Sequence, residues 1–140
     1  MRTWLKLIGS AQKPITEPPF CGKYDLDYVG FRKEKKPGIR MGDHLVLYAP
    51  GGSKRIFALA QAIGDPERDI NYDPQKEGSC RWKLSVRYLI NLSVSSGVHI
   101  NEVSTGQRDL TDSIQRASHI KLFPEEYRLA SSKLQQKTAT

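Results

Sequence analysis

The sequence predicts an α+β fold, a mixed β-barrel of about five to six strands with short peripheral helices. Several segments have the apolar patterns of β-strands, and only two segments have helical character. Strands and helices do not alternate along the chain, which argues against a doubly wound sheet. The 140 residues are enough for one domain with its own core. We assign residues 1–130 to this domain and expect residues 131–140 to be a polar, frayed tail.

The strands are predicted from hydrophobic periodicity. From Trp82 to Leu92 every even position is apolar, and the odd positions are polar with one exception, which is typical of a strand with one buried face. The apolar runs His44–Ala49 and Arg55–Ile63 are separated by turn-forming residues 50–54, so they predict a hairpin. Trp4–Ile8 predicts a further strand, and the start of the chain therefore does not resemble a signal peptide.

Helices are predicted only near the end of the chain. Asp109–Ala117 has apolar residues at helical spacing, and Pro124–Leu129 begins with a proline and two acids, which favour a helix N-terminus. Between them, His119–Phe123 predicts a short closing strand. The connections of roughly Ser10–Arg40 and Asp65–Arg81 are long, and loops of that length usually carry function or an unrecognised helix.

Composition restricts the classes of partner and site. The net charge of +7 favours a polyanionic partner, and it is spread over both halves of the chain. No run approaches the ~20 apolar residues of a membrane span. Cys21 and Cys80 lack metal-ligand spacing and the histidines are scattered, so we expect no metal, no cofactor and a reducing, cytoplasmic location. A monomer is expected because no apolar surface stripe remains.

Several segments together resemble a known family. The run Tyr28–Lys33, followed by Met41–Tyr48, is similar to the EVE domain, where an aromatic residue precedes Gly-Val-Arg-Asn and a Gly-Asp pair opens a strand. Downstream, Asp65–Asp69 resembles the family's Tyr-Pro-Asp turn, and Arg81–Arg87 resembles its Arg-Trp strand opening. The resemblance extends over nearly the whole chain, from Trp4 to about Tyr127.

EVE domains belong to the PUA-like superfamily, together with YTH and ASCH domains. The resemblance implies a pseudo-barrel whose pocket, in the EVE and YTH branches, encloses a flipped, modified base with aromatic side chains. It thus implies a non-catalytic module that binds RNA or DNA carrying a modified base, for example a methylated one. Tyr28, Phe31 and Lys33 replace the family's usual Trp, Val and Asn, so the selectivity of the pocket is expected to differ.

A base pocket needs aromatic rings, since stacking contributes roughly 1–3 kcal/mol per base, together with a few fixed polar groups. The candidates lie in or beside the two long connections or on the first strand: Tyr28, Phe31, Arg32, Tyr72, Trp82 and Trp4. For Trp82 and Trp4 a core position and a pocket position are both open, and a core position is favoured for Phe31. Asp43 is expected to hold a turn through bonds to the backbone.

Phosphate contacts are expected from cations beside this pocket and at the hairpin tip, namely Lys33, Lys35, Lys36, Arg40, Lys54 and Arg55. The alternative for these residues is a solvated loop.

Catalysis has less support, because no catalytic triad, metal cluster or phosphate-binding glycine loop is present in motif context. Residues 30–37 begin like the Gly-x-Lys-x-x-Glu-x-Arg run of ASCH-like amidohydrolases. However, Lys35 and Pro37 occupy the positions of its Glu and Arg. Two alternatives to a base reader stay open. One is an amidohydrolase acting on a modified nucleoside, and the other is a small-molecule or protein interaction domain that uses the same pocket.

Overall fold

The structure is a computed structural model that describes residues 1–8, 28–76, 79–115 and 117–138. The strands are β1 (Thr3–Leu7), β2 (Tyr28–Phe31), β3 (His44–Ala49), β4 (Arg55–Ala62), β5 (Glu67–Arg68), β6 (Trp82–Asn91), β7 (Val98–His99) and β8 (His119–Lys121). The helices are α1 (Leu110–Ile114) and α2 (Pro124–Thr138), with single 3₁₀ turns at Val94–Ser96 and Ile100–Val103.

The strands form one mixed sheet that curls into a half-barrel. Its main path runs β2-β6-β4-β3-β1-β8, with β5 beside β6 and β7 beside β4. Strand β1 runs parallel to β3, with Thr3 opposite His44, and antiparallel to β8, with Trp4 opposite Lys121. The first strand of the chain therefore lies inside the sheet and not at its edge.

Each face of the sheet carries its own hydrophobic core, because successive side chains of a strand point to opposite faces. The inner core lies inside the half-barrel and includes Trp4, Phe31, Leu45 and Trp82. On the other face, Leu5, Val46, Ile114 and Leu134 belong to the outer core, which the helices cover. Strand β3 is buried on both faces, and this explains its continuous apolar run.

The mixed barrel with short helices confirms the predicted fold class, but the end of the chain differs from the expectation. Residues 131–140 were expected to fray, whereas α2 continues to Thr138. Its residues Ala130 and Leu134, four positions apart, lie on one helix face and are buried in the outer core. The polar composition of residues 131–140 obscured the role of Leu134, which together with Ala130 attaches the helix to the sheet.

No helix in the described residues is both long and apolar enough to cross a bilayer.

Candidate nucleic-acid interface

The two ends of the sheet path meet through side chains. Phe31 on β2 and His119 on β8 have ring centroids 5.2 Å apart, with their planes nearly perpendicular at 86°. Trp4, on the neighbouring strand β1, lies 5.5 Å from the same imidazole. We call this group, together with Lys6 and Ser118, the seam site, because it joins β2 to β8 across the gap in the half-barrel.

Lys6 places a cation inside the seam site. Its side chain is only 5% exposed, and its Nζ lies 4.6 Å from the centroid of the Phe31 ring. The ammonium donates one hydrogen bond to the carbonyl oxygen of Leu7, at 2.8 Å. The pKa of Lys6 is lowered to about 8, mainly by burial; Cys80 opposes this shift and the nearby charge of Arg32 adds to it. A desolvated ammonium is costly, and the ring face offsets part of that cost.

His119 supplies a neutral polar group beside this cation. Its Nδ1 lies 2.6 Å from the hydroxyl oxygen of Ser118, on the same strand segment. Burial, followed by the charges of Lys6 and Lys33, lowers the pKa of His119 to about 4. The imidazole is therefore uncharged at neutral pH, and its two nitrogens provide one donor and one acceptor.

Strand β2 approaches Cys80 closely beside the seam site. A Cβ built on Gly30 would lie 2.6 Å from the sulfur of Cys80 and 3.0 Å from its Cβ. Only glycine fits under this side chain, so the close approach accounts for the glycine next to Phe31.

The predicted basic cluster follows directly after the seam site. Arg32, Lys33, Lys35 and Lys36 are exposed in the connection that begins after Phe31. This connection is held to β6 at two points. The indole Nε1 of Trp82 donates to the carbonyl oxygen of Glu34, at 3.1 Å, and Arg81 donates to that of Arg32, at 3.2 Å.

The other end of the connection is held by Asp43. Its carboxylate accepts hydrogen bonds from the backbone amide of Arg40 (3.0 Å), from the backbone amide of Arg2 (3.1 Å) and from the indole of Trp4 (2.9 Å). Desolvation alone would raise the pKa of Asp43, but these bonds and the charge of Arg2 hold it below its ordinary value. The turn-holding role expected for Asp43 is confirmed.

The residues predicted to form the base pocket do not make one open aromatic cage within the described chain. Trp4, Phe31 and Trp82 belong to the inner core, with 9%, 1% and 9% of their surfaces exposed, so very little of each ring is open to a ligand. Tyr28 is exposed and Tyr72 is half-buried. Both lie beyond the inner core, because Tyr28 points outward from β2 and Tyr72 lies in the loop before β6.

The predicted phosphate contacts fall into two separate groups. Arg40 lies near the turn where the amide of Gly42 bonds to Ala62, at the end of β4. Lys54 and Arg55 lie at the start of the same strand, about 23 Å away at 3.3 Å per residue. The side chain of Arg55 donates to the carbonyl oxygen of Gly97, at 2.9 Å. The hairpin tip therefore lies far from Arg40, at the opposite end of β4.

Three members of the seam site, Lys6, Ser118 and His119, were not among the sequence candidates. Lys6 follows Trp4 by two residues in a strand, so the alternation that places Trp4 on the inner face also places Lys6 there. That signal was available in the sequence. The position of His119 depends on the curling of the sheet, which no local pattern reveals.

Metal binding finds no support in the parts of the chain that the structure describes, where no three His, Cys, Asp or Glu side chains are grouped to hold an ion.

Comparisons with known proteins identify the fold. No protein-family model matches the chain, and no curated protein matches it. A structural-genomics protein from Agrobacterium tumefaciens has a TM-score of 0.62 at 13% identity, over 95% of this chain and 93% of that one. A hypothetical protein from Leishmania major has a TM-score of 0.63 at 11% identity, over 99% of this chain and 97% of that one. An ASCH protein from Zymomonas mobilis has a TM-score of 0.54 at 11% identity, over 94% of each chain.

The chain has a PUA-like pseudo-barrel fold. The predicted fold is thereby confirmed, and an ASCH protein is among the solved structures that share it. Membership of the EVE branch stays a prediction. Within the PUA-like fold, the seam site combines a ring edge, ammonium N–H donors and a neutral imidazole with exposed cations one residue away. Such a set suits a flat, polar ligand attached to an anionic chain.

Proposed function

We propose that this protein is a non-catalytic nucleic-acid-binding module that holds a modified base at the seam site. The position of Lys6 carries the proposal. Its buried ammonium lies on the face of Phe31 and beside the imidazole of His119, and the exposed cations begin at the next residue, Arg32. A base and the phosphates flanking it require this combination of enclosed and exposed groups.

The hydrogen-bonding capacity of the seam site fits the edge of a base. An ammonium has three N–H donors, and within the described residues Lys6 uses one of them for the carbonyl oxygen of Leu7. The remaining capacity suits the oxo and ring-nitrogen acceptors of a base. The neutral His119 adds a group that donates or accepts according to its tautomer. A methyl group on the base would bury further apolar area against the ring edges of Trp4 and Phe31.

The exposed cations suit contacts to phosphates. Arg32, Lys33, Lys35 and Lys36 are exposed on a connection whose two ends are fixed by Trp82 and Asp43. Contacts of this kind supply affinity without sequence information and weaken as salt is added. The resemblance to EVE domains and the PUA-like fold support the same partner. We propose that the module acts as a cytoplasmic monomer.

The test is a titration with single strands of about 15 nucleotides, both RNA and DNA, at about 50 mM and about 200 mM salt. Each strand is used unmodified and with one base modification, such as a methyl group on cytosine or adenine. We expect at least one modified strand to bind about tenfold more tightly than its unmodified form. Lys6→Met should abolish that preference while leaving weak, salt-sensitive binding.

A matched control separates the seam site from general charge. Lys54→Gln also removes one positive charge, but at the far end of β4, and should leave the preference unchanged. The absence of binding to every strand, even at low salt, would contradict the proposal. Mass spectrometry of the recovered ligand tests the alternative function, that of an amidohydrolase. Loss of an acyl group from an acylated nucleoside would establish the amidohydrolase.

A further inference from the structure

Three cations next to the basic connection lie over aromatic rings. The guanidinium of Arg68 is 4.8 Å from the centroid of Trp82, and that of Arg81 is 5.0 Å from the centroid of Tyr72. The ammonium of Lys83 is 5.8 Å from the centroid of Tyr28. None of these cations was a sequence candidate. We call Tyr28, Arg68, Tyr72, Arg81 and Lys83 the cation–aromatic surface.

Strand register brings these pairs together. Trp82 at the start of β6 is opposite Arg68 of β5 on one side and Phe31 of β2 on the other. Three adjacent strands thus begin or end side by side, over about 10 Å at 4.8 Å per strand. Arg81 also donates to the carbonyl oxygen of Arg32, which connects this surface to the basic connection after β2.

The charge of this region is positive. Residues 32–36, 67–73 and 81–83 contain seven Lys and Arg side chains against four Asp and Glu. Two of the four acids hydrogen-bond to the backbone of their own turns. Asp69 accepts from the amide of Asn71 (2.9 Å), and Asp73 accepts from that of Gln75 (3.0 Å). The cations, by contrast, are held over rings near the surface, which suits a polyanion.

The aromatic residues point to a single strand as the partner. Tyr28 is 39% exposed and Tyr72 is half-buried, so part of each ring remains open to a ligand. The bases of a single strand present free π-faces that stack on tyrosine rings and on guanidinium planes, whereas a duplex hides those faces. An acidic peptide would use the cations but would leave the tyrosines without a role. The ring of Trp82 is buried and serves to position Arg68.

We infer that the cation–aromatic surface binds the single-stranded nucleic acid that flanks the base at the seam site. The inference rests on the proposed function for the class of partner. Arg68, Arg81 and Lys83 contact phosphates, and Tyr28 and Tyr72 stack on bases without selecting among them.

The test uses unmodified oligothymidine and oligouridine of about 15 nucleotides and a hairpin duplex of similar length. We expect each single strand to bind more tightly than the duplex. The double variant Arg68→Gln/Arg81→Gln should lose more than about tenfold in single-strand affinity. The slope of log affinity against log salt should become shallower by about 1.4, since each phosphate contact to a single strand contributes about 0.7. Tyr72→Leu should weaken binding about tenfold without changing the slope.

Arg128→Gln is the matched control, because it also removes one exposed arginine, on helix α2 and outside the cation–aromatic surface. It should change neither affinity nor slope. Circular dichroism verifies that each variant is folded. Unchanged affinity and slope in the folded double variant would overturn the inference, as would equal binding of the duplex or equal competition by polyglutamate.

The two proposals fail in different ways. If the double variant binds unmodified strands normally and the wild type still prefers a modified strand, this surface is excluded while base capture stands. If no modified strand is preferred but the double variant loses affinity for unmodified strands, the surface stands without base capture.

Discussion

The imidazole of His119 meets the ring of Phe31 edge-on, although the two residues belong to strands at opposite ends of the sheet path. Among the described pairings β2 and β8 are not hydrogen-bonded to each other, so these side chains bridge them. The bridge also contains the buried ammonium of Lys6. The side chains that bridge the two ends of the sheet thus enclose a cation.

Replacing that cation should stabilise the fold. Because Lys6 has its pKa lowered to about 8 by burial, the unfolded chain binds its proton more strongly than the native state does. We expect Lys6→Met to raise the free energy of unfolding by about 3 kcal/mol at pH 7. As pH rises from 8 to 10.5 the unfolded chain also loses its proton at Lys6, so the wild type gains stability relative to the variant. The difference in unfolding free energy between the two proteins therefore becomes smaller. Urea unfolding at several pH values measures it, and a variant less stable than wild type at pH 7 would contradict this reading of Lys6.

His119 should make the fold sensitive to acid. Its pKa is lowered to about 4, so the unfolded chain takes up a proton as pH falls below 6.5 while the native imidazole stays neutral. Stability is therefore lost between pH 6.5 and pH 4, by about 2 kcal/mol from this residue. His119→Gln should remove that part of the pH dependence.

The positive charge of Lys6 contributes to the lowered pKa of His119, and this contribution can be measured directly. In Lys6→Met the pKa of His119 should rise toward its ordinary value. An NMR titration of the imidazole measures this. An unmoved pKa would mean that the two side chains are not neighbours.

The buried ion pair between Arg108 and Glu126 should be important for stability. Glu126 is buried and accepts two hydrogen bonds from Arg108, at 2.9 and 2.8 Å, and one from the amide of Phe123, at 2.8 Å. Arg108→Ala leaves this carboxylate without its partner and should cost about 3–5 kcal/mol. Removing the exposed partner of Glu125 by Arg128→Ala should cost less than about 1 kcal/mol. Equal costs in denaturant unfolding would refute the distinction.

The contact between Gly30 and Cys80 predicts a specific rescue. Gly30→Ala places a methyl group against the side chain of Cys80 and should cost about 1–3 kcal/mol. Cys80→Gly removes both of the clashing atoms, so the double variant should recover most of that loss. Thermal unfolding of the two single variants and the double variant measures the coupling. If the stability losses of the two single variants simply add in the double variant, the strain lies elsewhere.

The sequence predicts most strands correctly because β3, β4 and β6 have strong apolar patterns that tertiary contacts only reinforce. It does not predict β2, whose four residues include the glycine required by Cys80. It also misses the end of α2, where two apolar residues four positions apart are enough to fix a polar helix.

The candidate site is less accessible to sequence reasoning. Aromatic residues such as Trp82 were natural pocket candidates, yet the half-barrel needs them to fill its interior. Which cations lie together depends on strand register, which separates Arg55 from Arg40 and brings Arg68 beside Trp82. Neither fact can be read from local composition.

The position of β1 has a consequence for synthesis of the protein. Trp4 is opposite Leu45 in β3 and Lys121 in β8, so β1 receives its second neighbour only after residue 121 has left the ribosome. Until then, one edge of β1 remains open to pairing with other chains. Contacts between such distant segments are slow to form. We therefore expect nascent chains that end before β8 to depend on chaperones.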